Sequence, residues 1–595
     1  MNDPQQTQTR SVLPLFILAI VPAAFTGVMI FKYCVDVPFW DEWHVVSLLE
    51  KFAQGTLSFR DLYAQQNEYR QFFPNLVFVA VGWLTRWDVR YLMGINFLTA
   101  CLVSFNVYQL GKHTLAGEPS LRLWTYLLAN LLIFSPIQHE NWLQGQQFIY
   151  FVPAACLTSC MLVAYSGRFH TGAKFLICGV LATISTFSSA NGILCWVVVL
   201  PVLAWSSNRS ELWGKKWWIL GWLAALCLSA FLYFYDYRSS SGRPPLFTAL
   251  SNPGASVLYF LAVLGRPLAL GRLAFAVSVG SILVILFVWS ALQFWGFLKH
   301  DANEARRAIC WLMIGTYSLL TAILITIGRA GFGLDQSLAA TRYSTFTIYL
   351  AVALVLLFAI ILSNQAQKAD SLHTRLSYTR VRRFLCALLI VLHIPIYLLG
   401  IRQMSSFRVA LLHSKACALL ANVVSDACIT QKVYSNFQVF KQQINTADRL
   451  GFLRPDLVKS NRVQDIEARD AGAPRNYGSF QGLIHLEGDK YIASGWAFLP
   501  HRGEPADAVV LAYERVGDPA IIFAIADSNR QRDFISALLG RGVYGDSRWS
   551  ESFSVSGFGP NRTTLTAWAF DAYTGKAYRL DGSQVVEKPA SPERH

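Results

Sequence analysis

The chain has 595 residues, of which 54% are hydrophobic and only 15% charged, with 18 Trp and 40 Phe, and its 51 basic against 36 acidic side chains give a net charge of +15. That much apolar surface cannot be hidden inside a water-soluble chain of this size, so soluble enzymes, disordered chains and fibrous proteins drop out and a polytopic membrane protein remains. The positive balance fits loops facing anionic lipid headgroups, and no nucleic-acid partner is expected. Residues 11–31 form an uncharged run of spanning length, with Arg10 before it and no small-residue cleavage site, which predicts a retained first helix. Further spans are expected near 91–111, 123–137, 147–166, 175–188, 192–206, 217–237, 274–297, 309–328, 344–363 and 384–402, eleven passes in all. The uncharged stretch 175–208 is too long for one pass, and Ser188, Ser189, Asn191 and Gly192 in its middle suit a tight turn between two short ones. Two other apolar stretches, 73–86 and 255–265, fall below the roughly 20 residues a crossing helix needs and read as interfacial or re-entrant.

Charge then sets the orientation. Loops 112–122, 167–174, 207–216, 298–308 and 364–383 each carry more basic than acidic residues, which places them and the N-terminus in the cytoplasm. The first outer loop, 32–72, is acidic by comparison. Eleven passes leave the C-terminus outside, so a bacterial inner-membrane protein with a periplasmic C-terminal domain is expected.

After Arg402 the composition changes. The expected organisation is a transmembrane domain over 1–402 that includes the first external loop 32–90, a helical linker over 403–470, and a β-sandwich over 471–595, where short β-branched and aromatic runs alternate with turn residues. GWAF at 495–498 and AWAFD at 567–571 read as equivalent strands with buried Trp496 and Trp568. Core packing outweighs sugar stacking as the role of these tryptophans. Most cysteines lie inside predicted spans as small apolar residues; outside, Cys417 and Cys428 are placed to pair if that side is oxidising. No zinc-ligand spacing is present.

The segment 35–76 carries the most chemistry. Asp41 and Glu42 stand side by side about ten residues beyond the first helix, flanked by Trp40, Trp43 and His44. Aromatics fix such a segment at the membrane interface, where carboxylates are costly unless they face a water-filled cavity. Taken alone, an acidic pair is more often part of a solvated loop.

An acidic pair in the first external loop, an amphipathic helix after it, about eleven passes and an external C-terminal domain together resemble the GT-C membrane glycosyltransferases. That superfamily includes the protein O-mannosyltransferases, the catalytic subunit of oligosaccharyltransferase and the aminoarabinose transferase of lipid A. The resemblance covers residues 11–402, and the run FWDEWH with NEYRQFFP downstream looks most like a large group of bacterial membrane proteins of this type. It implies transfer of a hexose or pentose from a polyprenyl-phosphate-linked donor to a glycan, lipid or protein acceptor on the periplasmic face. Asp41 matches the family's acidic position and is expected to be the general base that takes the acceptor proton. Glu42 would orient Asp41, bind the acceptor or hold a divalent metal.

A prenyl phosphate leaves more easily when cations stabilise its developing charge, so external arginines are the donor-phosphate candidates: Arg329 and Arg342 at the ends of a Gly-rich loop first, then Arg70 and Arg243. Trp40, His44, Glu68, His139, Glu140 and Asn141 are expected to shape the site or meet the acceptor. Here the chain departs from the family pattern, since His139-Glu140 replaces a paired carboxylate and QFFPNL stands where the mannosyltransferases carry His-Pro-Pro. Metal dependence stays open. Inversion is expected, because no second carboxylate is placed to form a glycosyl-enzyme. The rivals are an envelope polysaccharide polymerase or ligase, which needs a larger late external loop than 329–343, and a transporter or flippase with an appended glycan-binding domain, which predicts internal repeats and midplane charges. A non-catalytic assembly or sugar-sensing protein would place its function in 478–588.

Overall fold

The computed structural model describes residues 4–115, 119–206, 208–238, 244–245, 248–368, 372–468, 476–514, 519–528, 547–558 and 562–586. Arg243 and parts of the expected basic loops (116–118, 207 and 369–371) lie outside the described residues. The chain divides into two compact units: Met1–Cys34, Leu57–Phe78 and Arg90–Met404 form the first, and Val35–Thr56, Val79–Val89 and Ser405–His595 the second. The sequence reading groups all of 32–90 with the membrane helices, whereas here 35–56 and 79–89 pack with the C-terminal part.

The chain is a mostly helical polytopic membrane protein. Nine helices among the described residues are long and apolar enough to cross a membrane: Leu13–Tyr33, Val89–Thr114, Pro119–Trp142, Gly145–Tyr165, Lys216–Phe234, Leu273–His300, Ala302–Phe332, Thr341–Lys368 and Cys386–Leu419. They correspond to nine of the expected passes. The remaining two, near 175–188 and 192–206, are the shorter helices Thr171–Thr186 and Ala190–Leu203. The turn between them forms where the sequence puts it: the N–H groups of Ser188 and Ser189 both donate to Ser185 O. Gly192 is needed there, because a Cβ would lie 1.8 Å from that same Ser185 oxygen. A hairpin of two short helices leaves the parity of the pass count unchanged, whether it crosses or re-enters. Phe72–Leu84 and Pro253–Leu268 are also too short to span.

Helices in lipid associate through close packing and interhelical hydrogen bonds rather than through hydrophobic burial. Gly280 illustrates the first, since a Cβ there would sit 1.9 Å from Leu261 O, so Pro253–Gly265 and Leu273–His300 touch backbone to backbone. Asn130 illustrates the second. Its amide donates to Ala19 O at 2.7 Å and its oxygen accepts from Ser104 Oγ at 2.7 Å.

In the second unit, Trp43 is fully buried between the edges of Trp87 and Phe440, with ring centroids 5.4 and 4.8 Å away. Its antiparallel sheet runs β1 (Gln65–Gln66) and β2 (Tyr69–Arg70) aside, which form a separate ribbon in the first unit, over β3 (Gly478–His485), β4 (Lys490–Leu499), β5 (Glu504–Pro505), β6 (Ala508–Glu514), β7 (Ile521–Ser528), β8 (Arg548–Ser554), β9 (Thr563–Asp571), β10 (Lys576–Arg579) and β11 (Gln584–Val586). The strands follow one hydrogen-bonded path, β10-β9-β6-β7-β8-β4-β3, with β11 on β9 and β5 on β4. Among the described residues β7 and β8 join through only two residue pairs, Asp527 with Ser550 and Ser528 with Trp549. The path curls there, and Phe480 N–H of β3 returns to donate to Asp581 O beyond β10 at 2.8 Å. The expected antiparallel domain is thus a curled half-barrel whose two halves enclose Phe480, Leu511, Trp549 and Leu565.

The GWAF and AWAFD segments are strands, as expected, in β4 and β9. Trp568 is buried under the Arg579 guanidinium, but Trp496 is only half-buried and the fully buried tryptophan of the sheet is Trp549. Helix Leu372–Leu419 is clamped to the sheet by charge: Arg408 pairs with Glu504 at 2.8 Å, and Arg502 reaches Glu504, Asp507 and Asp571 at 2.7, 2.6 and 2.9 Å. Burial works against the Arg502 charge, but the three carboxylates hold it firmly protonated.

Removing one partner of a buried ion pair leaves an uncompensated charge, at a cost of about 3–5 kcal/mol. Arg502→Ala should therefore raise amide hydrogen exchange in β6 and β9 of the full-length protein, while strands remote from Asp507 keep their protection. A second expectation concerns pH. Burial, assisted by Asp527, lifts the Glu551 carboxyl from 4.5 to about 7. The folded chain then holds this proton more tightly than the unfolded one, so the stabilisation present below pH 4.5 is lost as pH rises through 7. Glu551→Gln should raise the melting temperature of the second unit above pH 7 and leave it unchanged below about pH 4.5.

Candidate active site

Two arginines of the first unit anchor the most polar membrane-level cluster. Helix Ala302–Arg329 ends on Arg329, the segment after it turns through Gly333 at φ +96, and Arg342 lies just before helix Ser344–Lys368. Each arginine faces a carboxylate. Arg329 Nη2 lies 2.8 Å from Glu68 Oε1, and Arg342 Nη1 lies 3.8 Å from Glu140 Oε2, which also accepts the Arg342 backbone N–H at 3.1 Å. The sequence reading named all four residues without pairing them, because their partners are 261 and 202 positions apart.

Around these pairs stand four tyrosines that sequence reasoning missed. Tyr69 hydrogen-bonds Tyr150 and lies in the field of Tyr343 and Arg329, and burial pushes its hydroxyl well above the ordinary range. Tyr259 lies in the field of Tyr343, Arg329 and Arg342. The Tyr259 and Tyr343 hydroxyls are buried and have no hydrogen-bond partner among the described residues. A buried hydroxyl without a partner costs free energy, and a bound anion would recover it. Tyr343 follows Arg342 directly and Tyr69 precedes Arg70, a neighbourhood that was legible; Tyr150 and Tyr259 carry no such signal.

A fifth cation was also missed. Arg266 is buried, donating from Nε to Leu338 O at 2.7 Å and from Nη1 to Ser344 Oγ at 2.6 Å, and it lies in the field of Glu140 and Arg342. It ties the 329–343 segment to the end of helix Pro253–Gly265.

The remaining residues of the first unit have structural partners. Arg70 is buried and donates to the carbonyls of Tyr233 at 2.7 Å, Tyr63 at 3.3 Å and Tyr235. This corrects its assignment to phosphate: a guanidinium ringed by three backbone oxygens is a clamp for the chain after helix Lys216–Phe234. Asn141 donates to Arg342 O at 2.8 Å and to Thr345 Oγ1, so it positions Arg342 rather than meeting an acceptor. His139 is buried beside Gln403, Glu140 and Arg266.

Asp41 and Glu42 belong to the second unit, on the 3₁₀ turn Trp40–His44. Trp40 adopts φ +49 and its N–H donates to Val433 O at 3.1 Å, which fixes the turn. The two carboxylates separate. Glu42 is buried and its Oε2 accepts the Phe39 N–H at 3.3 Å, capping its own turn. Asp41 is exposed, near Tyr434, whose hydroxyl is raised by burial and by this carboxylate. Trp40 is exposed, and His44 Nδ1 lies 2.5 Å from Asp41 O. An inward-turned Glu42 does not fit the role of a ligand sharing a cation with Asp41. The His413, Cys417 and Cys428 side chains do converge, but Cys417 and Cys428 form a disulfide, the pairing expected of an oxidising side.

Neither a family model nor a curated protein matches the chain. Among solved structures, the crystal structure of ArnT from Cupriavidus metallidurans in the apo state is similar, with 12% identity and a TM-score of 0.39, over 70% of this chain and 80% of that one. No residue correspondence is taken from a likeness of this degree. The geometry yields its own test: Arg70→Gln should remove charge-assisted bonds worth about 1.5–3 kcal/mol. A lowered melting temperature of the purified protein, with no selective loss of anion binding, is the expected result.

Proposed function

We propose that the protein is a GT-C-type glycosyltransferase that moves a sugar from a polyprenyl-phosphate donor to an envelope glycan, lipid or protein acceptor on the periplasmic face, with inversion. The observation that carries this reading is the cluster of Arg329 and Arg342, each opposed by one carboxylate and ringed by tyrosines whose hydroxyls include two without partners. Such a cluster suits a phosphate group. The guanidinium forks take its oxygens and the leaving charge, and the free phenols of Tyr259 and Tyr343 donate to what remains.

The base is Asp41 in this reading. Of the adjacent pair only Asp41 leaves its side chain exposed, as a group that must accept a proton from an incoming hydroxyl requires. Glu42 serves it indirectly by capping the turn on which it stands.

The test uses the purified full-length protein with labelled prenyl-phosphate hexoses and pentoses, scored by donor consumption. Arg329→Gln and Arg342→Gln should each weaken donor binding by about tenfold or more, the worth of a charge-assisted contact. Asp41→Asn should abolish turnover while donor binding persists. Near-normal turnover by the Asp41 variant would remove it as the base and pass that role to Glu68 or Glu140, which the matching Gln variants would then reveal. Donor binding indifferent to both arginine changes would remove the reading itself.

A further inference from the structure

At the opposite end of the same helices lies a second gathering of cations. Arg306 and Arg329 share helix Ala302–Arg329, and at 1.5 Å per residue the rise between them is about 35 Å, enough to cross the hydrocarbon layer. Around Arg306, the end of helix Phe148–Tyr165, the start of Thr171–Thr186, the end of Leu194–Leu203 and the Arg209–Gly214 turn enclose a cavity of about 150 Å³. Lys174, Lys215 and Arg306, from three separate elements, line it together with Tyr165 and Trp205, and Glu211 is the one carboxylate in its wall.

The preference for Lys and Arg on one side of a membrane explains why these loops are basic, but it does not explain why three cations converge on one hollow. Convergence is costly. Burial pulls the Lys174 ammonium below its ordinary range, and Arg306 and Lys215 push it the same way. The single carboxylate is committed to Lys215, at 3.1 Å. Lys174 donates to Ala164 O at 3.1 Å and Lys215 to Trp205 O, which aims both ammonium groups without neutralising them. Arg306 stacks over the Tyr165 ring at 5.5 Å and has no hydrogen bond or ion pair among the described residues. Lys174 and Lys215 are half-buried and Arg306 is exposed, and three cations against one carboxylate in a polar hollow are an arrangement that a bound anion completes.

We propose that this cavity is a binding site for a phosphate group, held by Lys174, Lys215 and Arg306 on the membrane face opposite the Arg329–Arg342 cluster. The stacked Arg306 presents its fork edge-on to phosphate oxygens, and the two ammonium groups supply point charges. The phosphate belongs either to a lipid headgroup entering from the bilayer or to a soluble phosphate compound; the chemistry at the site is the same. The site stands independently of the transferase reading, since it shares no residue with it.

The experiment measures binding to the full-length protein in neutral detergent micelles, with inorganic phosphate and pyrophosphate in one arm and short-chain phosphatidic acid against phosphatidylcholine in the other, by native mass spectrometry and thermal shift. Arg306→Gln removes no structural bond, so the fold is expected to persist; it should weaken binding by about tenfold, and Lys174→Gln by a similar factor. Arg209→Gln, a nearby basic residue outside the cavity wall, should change binding less than about twofold, as a screened surface charge does. Binding of inorganic phosphate that Arg306→Gln abolishes supports the site with a soluble source, and binding confined to phosphatidic acid supports it with a lipid source. Absence of both, or equal weakening by Arg306→Gln and Arg209→Gln, would overturn it in favour of a diffuse basic surface.

Discussion

The amide of Asn141 is the contact on which the membrane-level cluster depends. Fully buried, it donates to Arg342 O at 2.8 Å and to Thr345 Oγ1, and that hydroxyl passes the bond on to Gln138 Oε1 at 2.6 Å. Asn96 closes the other side by donating to Gln144 O at 2.9 Å. Non-helical backbone at membrane depth is tolerated only where its polar groups are satisfied by protein or by a water-lined cavity, and these side chains do that for the loop 135–147. The consequence reaches the chemistry. With Asn141 bound to the start of helix Ser344–Lys368, its neighbour Glu140 is delivered to Arg342, and the guanidinium is held where the tyrosines surround it.

The second unit rests on a different kind of constraint. Arg502, with three carboxylates around it, and Arg408, bound to Glu504, join the end of a 48-residue helix to the curled sheet. Buried ion networks of this kind add little net stability compared with apolar packing, but they punish any other arrangement severely, and so they specify one docking of helix on strands. The 35–56 segment is packed into that unit by Trp43 and by the Arg449–Glu50 pair at 2.6 Å, so the turn carrying Asp41 is set by the same unit that carries the sheet. The turn carrying Asp41 and the Arg329–Arg342 cluster thus belong to different compact units of the chain.

Much of this was legible from the sequence, for reasons that differ by element. Span positions follow from runs of apolar residues, and the Ser188–Gly192 turn follows from small polar residues inside an uncharged stretch. The arginines were legible because they interrupt apolar helices at their ends. Other features required the fold. The two roles of Asp41 and Glu42 could not be told apart while they were merely adjacent, since a 3₁₀ turn sends one carboxylate inward to its own backbone and the other outward. Arg70 read as a ligand because its three carbonyl partners, on Tyr63, Tyr233 and Tyr235, lie at the ends of two helices whose approach no local pattern reveals. Tyr150 and Tyr259 were not singled out, for the same reason. The antiparallel C-terminal domain was legible from strand alternation, which reports which face is buried and says nothing of whether the covering face belongs to another sheet or to the far end of the same one.

The two arginine–carboxylate pairs explain how two guanidinium groups are held at the ends of apolar helices without a large uncompensated charge. An unpaired guanidinium at that depth is expensive, and a permanently paired one is useless for recognition. The Arg329–Glu68 contact at 2.8 Å is close, while Arg342 and Glu140 are 3.8 Å apart and joined chiefly through the Arg342 backbone N–H. Glu140 therefore holds the Arg342 main chain in place whether or not its side chain is engaged. If a phosphate binds as proposed, its greater charge and larger number of acceptor oxygens would displace the looser partner first, and Arg342 would turn to it while Glu140 keeps its main chain anchored. In that reading Arg329 would stay neutralised by Glu68 until charge develops on the leaving oxygen. The proposed ordering would give the two cations different tasks, one for ground-state binding and one for the transition state, since only an interaction that strengthens in the transition state accelerates a reaction.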